Sequence, residues 1–441
     1  MRLALLGLLG VAAPLAAQAP GPIAFERFTL PNGLEVVLAP DSLAPVVAVN
    51  LWVFGGTRYD PPGRGGLAQL FRRLAFAGSG HVTRGEHERL VTSAHGFYDA
   101  EVEDEAARFS ETMPPERLNL ALWLEAERLR GLKLDDSALA LARRAELESR
   151  TADAQDAFAE PILTAVASLY DSTACFPYAH LGRGTPASLG AVTRPEVEAF
   201  FRRHYVPRNA RLVVAGGFDR EQATRLVTAY FGEIPPGEPV PPPACDAAAP
   251  PAARELRLDA ARAAVAAAGL FYRIPGHDHA DVPALELLGI ALAQGRGARL
   301  NRVLRDSAGA AAATEAGTLA SRREAGVFGL FAAGVPGVGA DSLVSLLRAQ
   351  VTWAQGPGLT EADLARARAI ERATTVSGRQ RPEEVAEALQ HAAAFHNAVE
   401  AVNTEYARYD AVTLDDLRRV ARTYLQPANA VTLLVTPGAG S

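Results

Sequence analysis

The sequence predicts an α+β protein of two homologous domains, each an antiparallel sheet layered with helices. Three observations predict it. The first is an echo: Thr193-Arg194-Pro195-Glu196, a helical run, Tyr205, Pro207, Asn209-Ala210 and the strand Arg211–Ala215 return as Thr413-Leu414-Asp415-Asp416, a helical run, Tyr424, Pro427, Asn429-Ala430 and Val431–Val435. An offset of about 220 residues marks an internal duplication. The second is Glu233–Pro243, too rich in proline for a helix or a central strand. With Ala247–Ala253 behind it, this stretch reads as a semi-rigid linker. The third is an order of strands followed by helices, without regular β-α-β alternation. The expected boundaries are 1–19 for a signal peptide, 20–235 for the first domain, 236–252 for the linker and 253–437 for the second domain.

The elements follow in order. Strands are predicted near Phe25–Leu30, Leu34–Ala39 and Val46–Phe54, from β-branched and apolar runs bounded by turn residues. Helices are predicted over Gly66–Phe76, Glu86–Ala94, Pro115–Arg130 and Ser137–Arg150, with a hairpin of Gly96–Glu103 and Ala106–Met113 among them. In the helix Arg117–Leu132, Leu118, Leu122, Leu129 and Leu132 share one face, an ordinary amphipathic pattern. Thr193 and Thr413 each stand three residues before an acid, a capping-box arrangement at a helix start. The second half repeats the plan, with strands near Glu255–Leu258, Ala264–Tyr272 and Gly326–Ala333 and helices from Val282, Ala298, Asp341, Thr360, Pro382 and Leu414.

Bulk properties narrow the function classes. The 441 residues are 49% hydrophobic and 21% charged, enough for a sizeable core in each of two domains. A net charge of -6 gives no basic footprint for nucleic acid. Met1-Arg2, the apolar run Leu3–Ala13, Pro14 and the small residues Ala16, Ala17 and Ala19 read as a secretory signal, too short to span a bilayer. A periplasmic or secreted location, with no membrane span, is therefore expected. Cys175 and Cys245 allow at most one disulfide, and their placement in different stretches does not predict that they pair.

One helical segment carries the chemistry, by what it lacks. Gly65–Gly78 has the apolar frame of an inverted zinc helix H-x-x-E-H, in which two His hold the metal and the Glu activates water. Those three positions read Gln69, Arg72 and Arg73. A guanidinium does not deprotonate, so Arg73 brings a permanent cation to the metal's place, and Arg72 cannot accept a proton from water. A +1 charge about 4 Å from a +2 ion costs about 8 kcal/mol at an effective dielectric near 20.

The chain resembles the insulinase family, which includes pitrilysin and the mitochondrial processing peptidase. The resemblance rests on Leu30-Pro31-Asn32-Gly33-Leu34, Phe54-Gly55-Gly56-Thr57-Arg58-Tyr59-Asp60, the degenerate helix, Gly96-Phe97-Tyr98-Asp99-Ala100, Phe176-Pro177-Tyr178 with Gly182, and Tyr205-Val206-Pro207-Arg208-Asn209-Ala210. It implies two α+β domains facing each other across a chamber for extended peptides. It also implies a third ligand position at Glu148, with a supporting Glu one helical stretch earlier replaced by Leu141. The family's substrate-holding Asn-Ala reads Asp99-Ala100, and of an Arg and Tyr that grip substrate, Arg305 is kept while the Tyr position is Ala312. Two outcomes are open: Arg72 or Arg73 pairs with Glu148 in place of the metal, or both Arg side chains reach out to solvent and Glu148 lies on a wet helical face.

The expectation is a non-catalytic subunit with no cofactor of its own. It would pair with a zinc-bearing sister subunit around extended or unfolded peptides. The alternatives are a purely structural assembly subunit and a peptidase with a relocated site. For the last, His81, His87 and His95 with Glu86 or Glu88 flank the failed motif. His277-Asp278-His279 reads as a solvated turn, His391 and His396 do not share a helical face, and Gly295-Arg296-Gly297 reads as the mouth of a helix.

Overall fold

The computed structural model describes residues 21–152, 157–247 and 252–438. The predicted signal peptide and part of the linker lie outside the described residues. The first sheet contains β1 (Glu26–Thr29), β2 (Glu35–Pro40), β3 (Val47–Val53), β4 (Phe97–Val102), β5 (Ala107–Met113) and β6 (Ala210–Gly216), in the order β1-β2-β6-β3-β5-β4. The second contains β7 (Arg254–Ala260), β8 (Ala267–Pro275), β9 (Ala311–Ala320), β10 (Ala325–Gly334) and β11 (Ala430–Pro437), in the order β7-β11-β8-β10-β9.

Both sheets are mixed rather than antiparallel, and the same feature makes them so. The last strand of each half slots between an early pair, β6 running parallel to β2 and β11 parallel to β7. All other pairings are antiparallel, as between β3 and β5 or β8 and β10. The duplicated ends are the cause. Thr193 and Thr413 cap the helices Arg194–His204 and Leu414–Tyr424, each taking its carboxylate partner from three residues on. A 3-10 turn then leads into β6 or β11.

The central strands read as unbroken apolar runs because both faces are covered. One face of β3 and β6 packs Val47, Val49, Leu51, Leu212 and Val214 against the helices of the first half. The other face of that sheet, with Val37, Ala39, Val213 and Ala215, is covered by Ala386, Leu389, Ala392 and Ala393 from the helix Pro382–Phe395 of the second half. The exchange is reciprocal. Ala165, Val166, Leu169 and Tyr170, in and after the helix Ala159–Ala167 of the first half, cover Ala267, Phe271, Val327, Val431 and Leu433 of the second sheet. Each half thus lends the other an apolar layer, and neither sheet buries its back face with its own residues alone.

Two expectations change here. β9 is a strand although no strand was predicted there, and the helix expected from Ala298 is a π-helix over Asn301–Ser307. Cys175 and Cys245 are bonded, across 70 residues of sequence. The Asp246 N–H also donates to the Ala174 carbonyl at 2.9 Å. The proline-rich stretch is therefore fastened to the first half rather than left as a spacer. Among the described residues, no helix is long and apolar enough to cross a membrane.

Candidate active-site helix

The helix Leu67–Leu74 is placed by the loop before it. Gly66 takes a left-handed φ of 91°, and the N–H groups of Gly66 and Ala68 donate to the buried carboxylate of Asp60 at 2.7 and 2.8 Å. A carboxylate at a helix N-terminus satisfies orphan donors and complements the dipole. Leu67, Leu70, Phe71 and Leu74 face the core, where the Phe71 ring stacks on Tyr205 at 4.7 Å. That leaves Gln69, Arg72 and Arg73 together on one face, as spacings of three and four residues require.

Each of these three side chains has a settled place. Gln69 is buried. Arg72 donates from Nε to the Ala100 carbonyl of β4 at 3.1 Å. Arg73 Nε lies 3.3 Å from the Glu146 carboxylate, whose side chain is only 3% exposed. Glu148 is not involved. It is 62% exposed and pairs with Arg144 on its own helix at 2.7 Å. The expected partner was two residues off, and on a helix two residues is about 200°, enough to turn a side chain from the core to solvent.

These residues do not fit a zinc ion. Arg73 holds against Glu146 the carboxylate a metal would need, and Gln69 offers only an amide oxygen.

Behind the helix is a second buried group of charges. Arg128 is enclosed by Glu125, at 2.9 Å, and Glu111, at 3.6 Å. It donates to the Ala75 carbonyl at 2.8 Å, and its guanidinium lies 4.3 Å from the Phe109 ring centroid. His87 Nε2 is 3.0 Å from Glu111. Burial pushes the carboxyls of Glu111 and Glu125 up to about 7, against the pull of Arg128. Burial, with Arg128 as the second cause, drops His87 to about 3.

The signs oppose. Raised carboxyls keep protons that the unfolded chain releases, so their contribution to stability fades as pH rises from 4.5 through 7. His87 acts at the acid end: it is uncharged when folded, so stability is lost as pH falls below 6.5. Glu111→Gln keeps the shape of the protonated acid. Relative to the natural chain it is expected to gain up to about 3 kcal/mol between pH 5 and pH 8. Urea midpoints of both proteins at the two pH values check this; an equal difference at both would sink it.

The other predicted residues do not converge on a site. His81 pairs with Glu127 at 3.1 Å, His87 sits in the Arg128 group and His95 is exposed at a φ of 58°. Glu86 is spent on Thr83 and Arg89, and Glu88 is exposed. A relocated site at these histidines has no geometry to support it. Asp99 is exposed on β4, at the free edge of the first sheet, and lines a cleft of about 240 Å³ with Asn50, Arg108 and Glu387. Arg305 is exposed on the π-helix and pairs with its neighbour Asp306 at 2.9 Å.

One reading needs correction. His277 is no solvated turn residue: it is 6% exposed and gathers with His396 and Glu405. His396 lies just past the end of its helix, so the helical-face argument did not apply to it.

An α+β pair that exchanges apolar layers, with an apolar-framed helix beside the free edge of the first sheet, defines a metallopeptidase-like protein. The comparisons name the family. Residues 35–169 match the family model for insulinase (peptidase family M16), and residues 191–371 match the model for the peptidase M16 inactive domain. The chain belongs to the insulinase family. A Helicobacter pylori protein, "Zinc protease PqqE", is 24% identical over 422 residues, which is 93% of each chain. An uncharacterized zinc protease of Mycobacterium leprae is 27% identical over 370 residues, 82% of this chain and 80% of that one. Among solved structures, a protease from Helicobacter pylori has a TM-score of 0.86 at 21% identity, covering 95% of this chain and all of its own. A Pseudomonas fluorescens structure titled as a peptidase M16 inactive domain has a TM-score of 0.81 at 17% identity, over 94% and 98%. At such identity these two likenesses speak for the fold alone.

Proposed function

We propose that this chain is a non-catalytic subunit of an insulinase-family peptidase, without a catalytic zinc of its own. It pairs with a zinc-bearing sister and forms one wall of a chamber for extended peptides. The observation that carries the reading is the Arg73–Glu146 pair, a cation where the family places its metal. Arg72 replaces the base and has already committed its Nε to Ala100. A match to a domain described as inactive supports the reading, while relatives named zinc proteases supply the kind of partner. The Cys175–Cys245 disulfide supports a periplasmic or secreted location, where oxidised cysteines persist.

An assembly-only role is favoured by one contact. Ala100 stands on the free edge strand, and Arg72 takes the carbonyl that an added peptide strand would use.

Rebuilding the helix tests the geometry. The triple variant Gln69→His, Arg72→Glu, Arg73→His is expected to bind one more equivalent of zinc than the natural chain. Adding Glu146→Gln should remove that equivalent, and adding Glu148→Gln should not. Co-expression with a homologue carrying H-x-x-E-H tests the pairing: cleavage of an unfolded peptide is expected from the complex and not from this chain. Chelator-sensitive cleavage by the isolated chain would overturn the proposal, and so would a stable monomer that never engages the homologue.

A further inference from the structure

We infer that His277, His396 and Glu405 form a binding site for a divalent transition metal ion of the zinc type, remote in role from the degenerate helix. The three come from separate places. His277 follows β8, His396 follows the helix Pro382–Phe395, and Glu405 opens the helix Glu405–Ala411. Their ligand atoms all lie within 4.8 Å of one another.

Two edges of the triangle fit an ion. His396 Nε2 is 3.2 Å and His277 Nε2 is 3.7 Å from the same Glu405 oxygen, Oε1. Tetrahedral zinc with bonds of about 2.0–2.1 Å spaces its ligands about 3.4 Å apart. Two imidazoles and a carboxylate with a fourth place open is a common zinc donor set.

A second observation points the same way. Both ring nitrogens of His277 are buried and make no hydrogen bond among the described residues. Its ring is walled by His391, at 4.8 Å between centroids, and by Phe395 at 4.9 Å, leaving Nε2 nearest to Glu405. A buried imidazole with unmade hydrogen bonds is a cost in a finished fold and an asset in a ligand. The outer group is also in place. Asp278 Oδ1 lies 2.6 Å from His396 Nδ1, and a carboxylate on the far nitrogen fixes the tautomer that leaves Nε2 free to ligate.

The consequence is structural. The helix Pro382–Phe395 covers the back of the first sheet, while His277 belongs to the second half. An ion at this point would tie that borrowed layer to its home domain.

The test uses the full chain, stripped with chelator and titrated with zinc, and with cobalt as a spectroscopic probe. One equivalent of zinc is expected, with a higher melting temperature, and cobalt should show the intense visible absorption of a four- or five-coordinate N/O site. His396→Ala should abolish both. Asp278→Asn, an exposed and mild change, should weaken zinc 10- to 100-fold while the chain stays folded. Glu146→Gln should leave binding unchanged, which separates this site from the degenerate helix. Failure to bind zinc, or binding that Asp278→Asn and His396→Ala leave intact, would overturn the assignment and show a plain His396–Glu405 ion pair instead.

Discussion

Replacing Cys175 and Cys245 by serine is expected to lower the free energy of unfolding by about 4 kcal/mol, from the loop of 70 residues that the bond closes. The chain-entropy argument grows slowly with loop length, so a long loop already receives most of the effect. Position adds to it. The bond pins the segment just before β7, and β7 is the strand beside which β11 must insert in parallel. Without the bond, the end of the linker keeps the Asp246–Ala174 backbone contact. Urea unfolding of the oxidised chain, the reduced chain and the double variant measures the effect. A reduced chain less than about 1 kcal/mol weaker would show that the unfolded state is already constrained there.

What could be read from the sequence follows burial. β3, β6, β8 and β10 are covered on both faces, so their composition had no choice but to be apolar, and their runs were visible. The capping residues Thr193 and Thr413 act within one helical turn and were visible too. β9 was not. Its residues, Ala311–Ala320, include five alanines, a helix-favouring composition, and only pairing with β10 makes them a strand.

The site divided in the same way. The loss of His, Glu and His at Gln69, Arg72 and Arg73 is plain in one helical turn. Glu146 could not be told from Glu148 without the rotation of a second helix, since spacing along the chain does not fix which face meets a neighbour. The His277 group joins residues more than 100 positions apart, and each looked ordinary in its own segment.

The segment Gly55–Asp60, first noticed as part of the family resemblance, supplies the other large expected effect. Arg58 is 2% exposed, with one guanidinium nitrogen on Glu105 and the other on Glu324. The Tyr178 hydroxyl joins both carboxylates, and Arg322 stacks on the Tyr178 ring at 4.5 Å while pairing with Asp104 at 2.6 Å. Asp104 and Glu105 form the turn between β4 and β5, and Arg322 and Glu324 the turn between β9 and β10. The network is therefore one polar fastening between the two halves, beside others such as Arg108–Glu387. Gly56 makes room for it: a Cβ there would come within 2.3 Å of the Glu103 carbonyl.

Removing one member of a buried ion pair strands the others, at about 3–5 kcal/mol. Arg58→Met is expected to cost that much, because Glu105 is then left buried beside the acid of the other half. Adding Glu105→Gln should recover part of the loss, since the amide keeps hydrogen bonds to Tyr178 without the charge. Because Glu324 comes from the second half, the single variant should also expose the contact between the halves to protease before global unfolding, and limited proteolysis reads this directly. A cost below 1 kcal/mol, or no recovery in the double variant, would mean that water replaces the guanidinium and that the apolar layer exchange and the other polar contacts, such as Arg108–Glu387, hold the halves together without it.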